Sequence, residues 1–208
     1  MTSAGTAAVG RRVVEAAVVT ACLMLAAGPA QAQAARASGT PDLSGVWTRG
    51  GRGSSPSELP LNARGIALRE AVDESLAPMY DCVPATTPHI LGDPYNMQIE
   101  QQADRVLLRF EKDAVLRTVW LEGHGHREAT ANDYAVQGYS TGRYDGRELV
   151  VTTSKFTFDP AGLEDKPPLV PSSTQKRVTE RFSRDGDHLT VRAVMEDALI
   201  MTEPVRFT

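Results

Sequence analysis

Residues 95–156 constrain the fold of this chain more than any other stretch. Short apolar and β-branched runs alternate there with short polar turns, a pattern typical of strands. In one run, Val106, Leu108 and Phe110 share one face of the expected strand, while the residues between them share the other. Strands are expected at residues 96–100, 105–110, 115–121, 136–144 and 148–152. Because the turns are short, the sequence predicts an antiparallel meander that closes into a barrel with a binding mouth.

The flanking sequence adds strands and one short helix. Apolar residues at a loose helical spacing in residues 61–75 indicate the helix, with Asn62 in its N-cap region. Prolines exclude central strands from residues 79–94 and 159–173, which are expected to be loops beside the mouth. Further strands are expected at residues 41–48, 175–184, 188–197 and 203–208. The predicted fold class is therefore all-β with one short helix, a single barrel domain over residues 41–208 that can hold one small ligand.

The N-terminal residues have the pattern of a secretory signal. Arg11 and Arg12 precede a run of small apolar residues, and Ala30-Gln31-Ala32 is a small-x-small cleavage site. The sequence predicts a signal peptide over residues 1–32, a linker over residues 33–40, and a periplasmic or secreted protein. The apolar run is too short for a membrane span, so none is expected after cleavage. An uncleaved amphipathic N-terminus is the alternative.

Composition excludes several partners. The net charge of -4 and the few aromatic residues provide neither the basic surface nor the stacking platform that nucleic acid requires. Cys22 lies in the predicted signal peptide, so the mature chain would carry only Cys82 and could form no internal disulfide. A cysteine-rich zinc site is excluded for the same reason. No cofactor and no metal are predicted.

Two resemblances follow from motifs. Gly45-Val46-Trp47 on a first strand, with Arg206 on the last, is similar to the lipocalin-type barrel, in which a terminal Arg packs over that Trp. More of the chain resembles an uncharacterised family of exported bacterial proteins that open with Pro-Asp-Leu-Ser-Gly-x-Trp, matched here by residues 41–47. Its other motifs correspond to Cys82-Val83-Pro84, Pro94-Tyr95 with Ile99, Leu121-Glu122-Gly123 with His126, residues 138–151, Glu180-Arg181-Phe182 and Glu196-Asp197.

The family resemblance implies export and a lipocalin-like barrel of the calycin type, and it implies no reaction. This chain departs from the family pattern in two ways. Tyr144 stands where the family usually has Trp, and a later family Cys is missing, so a disulfide to Cys82 is not expected.

Two charged residues fall on apolar strand faces. Arg117 alternates with Val115 and Val119, and Glu180 alternates with Val178 and Phe182. A buried charge requires a partner, so we expect Arg117 and Glu180 to meet inside the barrel. Glu180 is then a candidate general base and Arg117 a candidate ligand anchor. A structural ion pair, or one strand that faces water on that side, is the alternative.

Other candidates lie nearby in the sequence. His126, expected at the barrel rim, is a candidate for proton transfer, and Tyr139, Trp120 and Tyr95 are candidate ligand contacts. Residues 138–142 have the Gly-x-Ser-x-Gly spacing of a nucleophile elbow, but strands flank the motif on both sides, which disfavours a hydrolase. His124 and His126 could share a metal, but no third ligand has a diagnostic spacing, so a solvated turn is favoured.

These observations predict an exported barrel that binds a small, largely apolar molecule. The first alternative is a cofactor-independent enzyme in the same cavity, of the isomerase, cyclase or lyase type, with Glu180 or His126 transferring the proton. The second alternative is an envelope or interaction protein whose core is filled.

Overall fold

The computed structural model describes residues 39–51 and 53–208. The predicted signal peptide and nearly all of the predicted linker lie outside the described residues. The described part of the chain is mostly β with one α-helix, as predicted. Its strands are β1 (Gly45–Trp47), β2 (Met97–Gln101), β3 (Arg105–Phe110), β4 (Leu116–Leu121), β5 (Tyr139–Asp145), β6 (Glu148–Ser154), β7 (Asp159–Glu164), β8 (Val170–Ser172), β9 (Arg177–Asp185), β10 (His188–Glu196) and β11 (Val205–Phe207).

The helix α1 (Ala63–Ala71) is shorter than the predicted 61–75. Its start is confirmed, because the side-chain oxygen of Asn62 accepts a hydrogen bond from the backbone N–H of Gly65 at 3.0 Å. Gly65 is buried, and a Cβ at this position would collide with the backbone carbonyl of Ile200. The helix therefore packs closely against the chain that links β10 to β11. No helix in the described residues is long and apolar enough to cross a membrane.

Nine strands form one curled sheet in the order β1-β2-β3-β4-β5-β6-β9-β10-β11. All neighbours are antiparallel except β4 and β5, which pair in parallel with Trp120 opposite Thr141. The prediction of a wholly antiparallel meander is wrong at this point. Residues 122–138 do not make a hairpin but return the chain to the starting end of β4, the crossover that a parallel pair requires.

The sheet is a curled half-barrel. Among the described residues β1 and β11 are its edge strands, and β11 pairs with β10 rather than with β1. The chain just beyond β1 does reach the other edge, since Ser54 and Thr208 exchange backbone hydrogen bonds of 2.8 and 2.9 Å. A fully closed barrel would need this contact to extend along both edges.

The two proline-rich segments differ in structure. Residues 79–94 form three-ten turns at Pro78–Asp81 and His89–Gly92 and contain no strand before β2. The loop predicted for residues 159–173 is wrong, because β7 and β8 pair there as a separate two-stranded ribbon. The ribbon has two free edges and an irregular register, which is why Pro160 and Pro171 fit within its strands.

The interior is filled by two apolar clusters. The inward positions of β9 show the arrangement: Val178 belongs to one cluster, Phe182 to the other, and Glu180 lies between them. Cluster 1 comprises Leu43, Ile90, Met97, Ile99, Val106, Leu108, Phe110, Val119, Leu121, Leu149, Val151 and Phe182. Cluster 2 comprises Phe156, Leu163, Val170, Val178, Ala193, Met195, Ile200, Met201 and Val205.

The arginine that packs over Trp47 is not the one expected from the sequence. The guanidinium carbon of Arg184, on β9, lies 5.1 Å from the centre of the Trp47 ring. Arg206, the expected partner, is exposed. The lipocalin-like cation over tryptophan is therefore supplied by β9 rather than by the last strand.

Candidate functional site

Arg117 and Glu180 meet inside the half-barrel, as predicted. Arg117 is 2% exposed and Glu180 is 0% exposed. The guanidinium donates to both carboxylate oxygens, from Nη1 at 2.9 Å and from Nη2 at closer range. This two-point geometry is the strongest form of an arginine–carboxylate contact.

Two hydroxyl groups complete the surroundings of Arg117. Its Nε donates to Ser140 Oγ at 2.9 Å, and its Nη2 donates to Thr153 Oγ1 at 2.6 Å. Ser140, Thr153 and the ion pair are all buried. Ser140 is thus fixed by the arginine, and its place on β5 confirms that the Gly-x-Ser-x-Gly motif is not a strand-to-helix elbow.

The remaining predicted residues do not join this pair. Along β4, Arg117, Val119 and Leu121 are buried, so the alternation places Trp120 on the outer face of the sheet. His126 stacks on Trp120 there, with ring centres 6.0 Å apart, and Arg105 lies 4.5 Å from the same ring.

Tyr139 and Tyr95 are also separate from the ion pair. Tyr139 alternates with the buried Ser140, and its hydroxyl donates to the carbonyl of Arg127 at 2.9 Å. Tyr95 is 51% exposed and precedes β2. The predicted residues therefore form an internal pair, a stack of Trp120 and His126 on the outer face, and two separate tyrosines, not one site.

A second buried polar group was missed by the sequence reasoning. Lys176, just before β9, is 1% exposed. Its Nζ donates to Thr86 Oγ1 and to the carbonyl of Gly162, both at 2.5 Å, and lies 4.7 Å from the Phe156 ring centre. The signal was present, because Lys176 continues the inward alternation of Val178 and Glu180.

Burial governs the charge of Lys176. Loss of water lowers its pKa to about 7, against the opposing attraction of Asp159 and Asp197. Burial likewise raises the pKa of Asp159. The ammonium and the neutral amine are therefore both populated near neutral pH.

His89 is the third buried titratable group of this region. Its Nε2 donates to the carbonyl of Leu163 at 3.0 Å, and its Nδ1 lies 3.9 Å from a carboxylate oxygen of Asp165. Burial, with repulsion from Lys176, lowers the pKa of His89 to about 4. The imidazole is neutral at physiological pH.

A cavity that is half open to solvent lies beside cluster 2. Its volume is about 640 Å³. Its lining combines an exposed aromatic ring, apolar side chains and charges of both signs. The lining residues are Tyr134, Ser154, Lys155, Thr174, Gln175, Lys176, Arg177, Glu196, Asp197, Ala198, Met201, Thr202, Glu203 and Pro204.

The charged side chains that line the cavity differ in their hydrogen-bond and ion-pair partners. Asp197 is buried and accepts from the backbone N–H and the hydroxyl of Ser173, at 2.6 and 2.7 Å. Lys155 lies 5.1 Å from the ring centre of Tyr134. Within the described residues, neither Lys155 nor Arg177 forms an ion pair with a carboxylate. Polar groups able to orient a ligand are thus present on the cavity wall.

The fold and these sites define a mostly β protein with a curled half-barrel, a buried ion pair and a mixed polar and apolar cavity. In the described part of the chain, no group of three or more His, Cys, Asp or Glu side chains is arranged to hold a metal ion. Comparison with known proteins finds no matching family model, no matching curated protein and no matching solved structure.

Proposed function

We propose that this chain is an exported, lipocalin-like protein that binds a small molecule in the cavity beside cluster 2. The volume of about 640 Å³ is the observation that carries the proposal. The sequence pattern of residues 1–32 supports export to the periplasm or the medium. The resemblance to exported lipocalin-like proteins is consistent with this role.

The lining favours an amphipathic ligand over the largely apolar one expected from the sequence. Met201 and Pro204 provide apolar wall, and Tyr134 provides a ring that is 41% exposed. Lys155 and Arg177 provide cations for a polar group. A polar group on the ligand could contact these cations, which a fully apolar molecule could not do.

The interior near Arg117 is a weaker site. The ion pair is enclosed, and the clusters on either side of it are packed. A largely apolar ligand inside the half-barrel would have to displace residues 85–91, whose Ile90 is part of cluster 1.

Filling the cavity tests the proposal. Thr174 is exposed, lines the cavity and is suited to Thr174→Trp. Thr190, an exposed threonine on β10 that does not line the cavity, provides the control Thr190→Trp. A panel of amphipathic small molecules should raise the melting temperature of the wild type and of the control, and should raise that of Thr174→Trp much less.

The possible outcomes distinguish a wrong binding site from the absence of a binding function. Equal shifts in all three proteins would move the site elsewhere on the molecule. No shift with any compound, together with no small molecule retained in native mass spectrometry of protein from its own host, would contradict a binding function.

The alternative function, an enzyme in which Glu180 or His126 transfers a proton, can also be tested. Glu180 would act as general base only if a substrate reached it, whereas both its oxygens already accept from Arg117. His126 stacks on Trp120 on the outer face. We therefore expect host extract incubated with the protein to show no compound that changes in mass or in chromatographic retention, the second of which also detects isomerisation and cyclisation. A change lost in Glu180→Gln or His126→Gln would favour catalysis.

A further inference from the structure

Residues 85–91 close one side of the interior without belonging to the sheet. Ile90 is buried in cluster 1, and Ala85 and Leu91 pack against the same cluster. The segment is neither strand nor α-helix, and its regular structure is limited to the start of the three-ten turn His89–Gly92. Its position therefore depends on side-chain contacts more than on a backbone ladder.

Two side chains from elsewhere in the fold and one of its own fasten this segment. Gln137 accepts from the backbone N–H and the hydroxyl of Thr87, both at 3.1 Å, and donates to the carbonyl of Ala85 at 2.8 Å. Lys176 donates to Thr86 Oγ1 at 2.5 Å. His89, within the segment, donates to the carbonyl of Leu163 on β7 at 3.0 Å.

Two of these fastening groups are bases held away from water. The pKa of Lys176 is lowered to about 7 and that of His89 to about 4, in both cases mainly by burial. Charged groups face them from every element packed around them. These are Asp159 on β7, Asp165 and Lys166 after it, Glu180 on β9, and Asp197 after β10.

Displacing the segment would carry His89 into water and remove the contact of Lys176 with Thr86. The pKa of each base would then move back toward its ordinary value, and displacement would take up protons. Lys176 contributes as pH falls from about 10.5, its ordinary value, to about 7. His89 contributes as pH falls from 6.5 to about 4. Burial raises the pKa of Asp159, so any exposure of this carboxyl would act in the opposite sense.

We propose that residues 85–91 are a lid over the interior of the half-barrel, fastened by Lys176 and His89, and that the lid opens with proton uptake by these two side chains. This inference does not depend on ligand binding in the cavity. An opened lid would expose the apolar surface of cluster 1 beside the Arg117–Glu180 pair, a surface suited to an apolar molecule.

Hydrogen–deuterium exchange at pH 9, 7 and 5, corrected for intrinsic exchange rates, tests the lid. Protection of peptides covering residues 85–91 should fall about tenfold or more from pH 9 to pH 5, and should stay below the protection of β3 at every pH. Lys176→Met, which keeps the chain length and cannot titrate, should remove the part between pH 9 and 7. Lys155→Met, a lysine that also lies over an aromatic ring, should leave the profile unchanged.

Three results would overturn the proposal. Equal protection of the lid and of β3 at every pH would mean that both exchange only through global unfolding. A flat profile in the wild type would mean that no protons are coupled to opening. Retention of the full pH dependence in both Lys176→Met and His89→Gln would mean that other groups carry it. If Lys176→Met does not fold, hydrogen–deuterium exchange of the lid and of β3 in the wild type and in His89→Gln still tests the proposal between pH 7 and pH 5.

Discussion

A buried charge is stable only with its partners, and Glu180 shows this at the scale of one residue. Its carboxylate is enclosed between two apolar clusters. Within the described residues, Arg117 is the basic side chain that hydrogen-bonds to it. Removing one partner should therefore destabilise the protein strongly, whatever the intact pair contributes to the free energy of unfolding.

We expect Glu180→Ala to lower the free energy of unfolding by about 3–5 kcal/mol, because it leaves the Arg117 charge buried without a counter-charge. The double variant Arg117→Met with Glu180→Leu should recover most of that loss, since it removes both charges. Urea unfolding at neutral pH measures both effects. A single variant as stable as the wild type would contradict the enclosed ion pair.

Lys176 makes the stability of the protein depend on pH. Its folded-state pKa of about 7 lies below its ordinary 10.5, so the folded protein holds the proton less well than the unfolded chain. Stability should therefore fall as pH decreases from about 10.5 to 7, and change little from this source below 7. Chemical unfolding at pH 7 and pH 9.5 should show a smaller difference for Lys176→Met than for the wild type. An equal difference in the two proteins would show that Lys176 does not titrate in this range.

At the level of the secondary-structure elements, the alternation of apolar and polar residues predicts the strands of the sheet but not the connections between them. Alternating residues identified β3 at its observed bounds and placed Arg117 and Glu180 inward. The same alternation puts Trp120 on the opposite face from Arg117, so its assignment to an interior site conflicted with the strand pattern itself. Lys176 was missed because a lysine at a strand start is usually solvated.

The parallel pairing of β4 with β5 could not be read from local sequence. Residues 122–138 contain glycines and polar residues that fit either a long hairpin loop or a crossover. What selects the crossover is distant contact: Gln137 bonds to residues 85 and 87, and Ala135 forms a bridge with Phe156. Such contacts join parts of the chain that no local pattern connects.

The packing of α1 against the β10–β11 connection gives a test at this scale. Gly65→Ala should destabilise the protein despite the better helix propensity of alanine, because the new Cβ would meet the Ile200 carbonyl. Ala67→Gly, on the exposed side of the same helix, should cost about 1 kcal/mol. Thermal unfolding of both variants measures this, and a stabilised Gly65→Ala would contradict the close approach.

At the level of the whole molecule, the described half-barrel has a closed interior and an open cavity at its side, and we propose that the protein is exported. Export itself is testable. When the full chain is expressed in a bacterial host, the protein recovered from the periplasm should begin at Gln33, as read by intact mass and N-terminal sequencing. A cytoplasmic protein that retains residues 1–32 would contradict the predicted signal peptide.

The central claim is that the cavity beside cluster 2 holds a small molecule. A crystal structure of the protein purified from its native host, or soaked with the compound that most raises its melting temperature, tests this most directly. We expect density for an amphipathic molecule against Tyr134, with its polar group toward Lys155 or Arg177. Density for that molecule elsewhere, with the cavity holding only water, would contradict it.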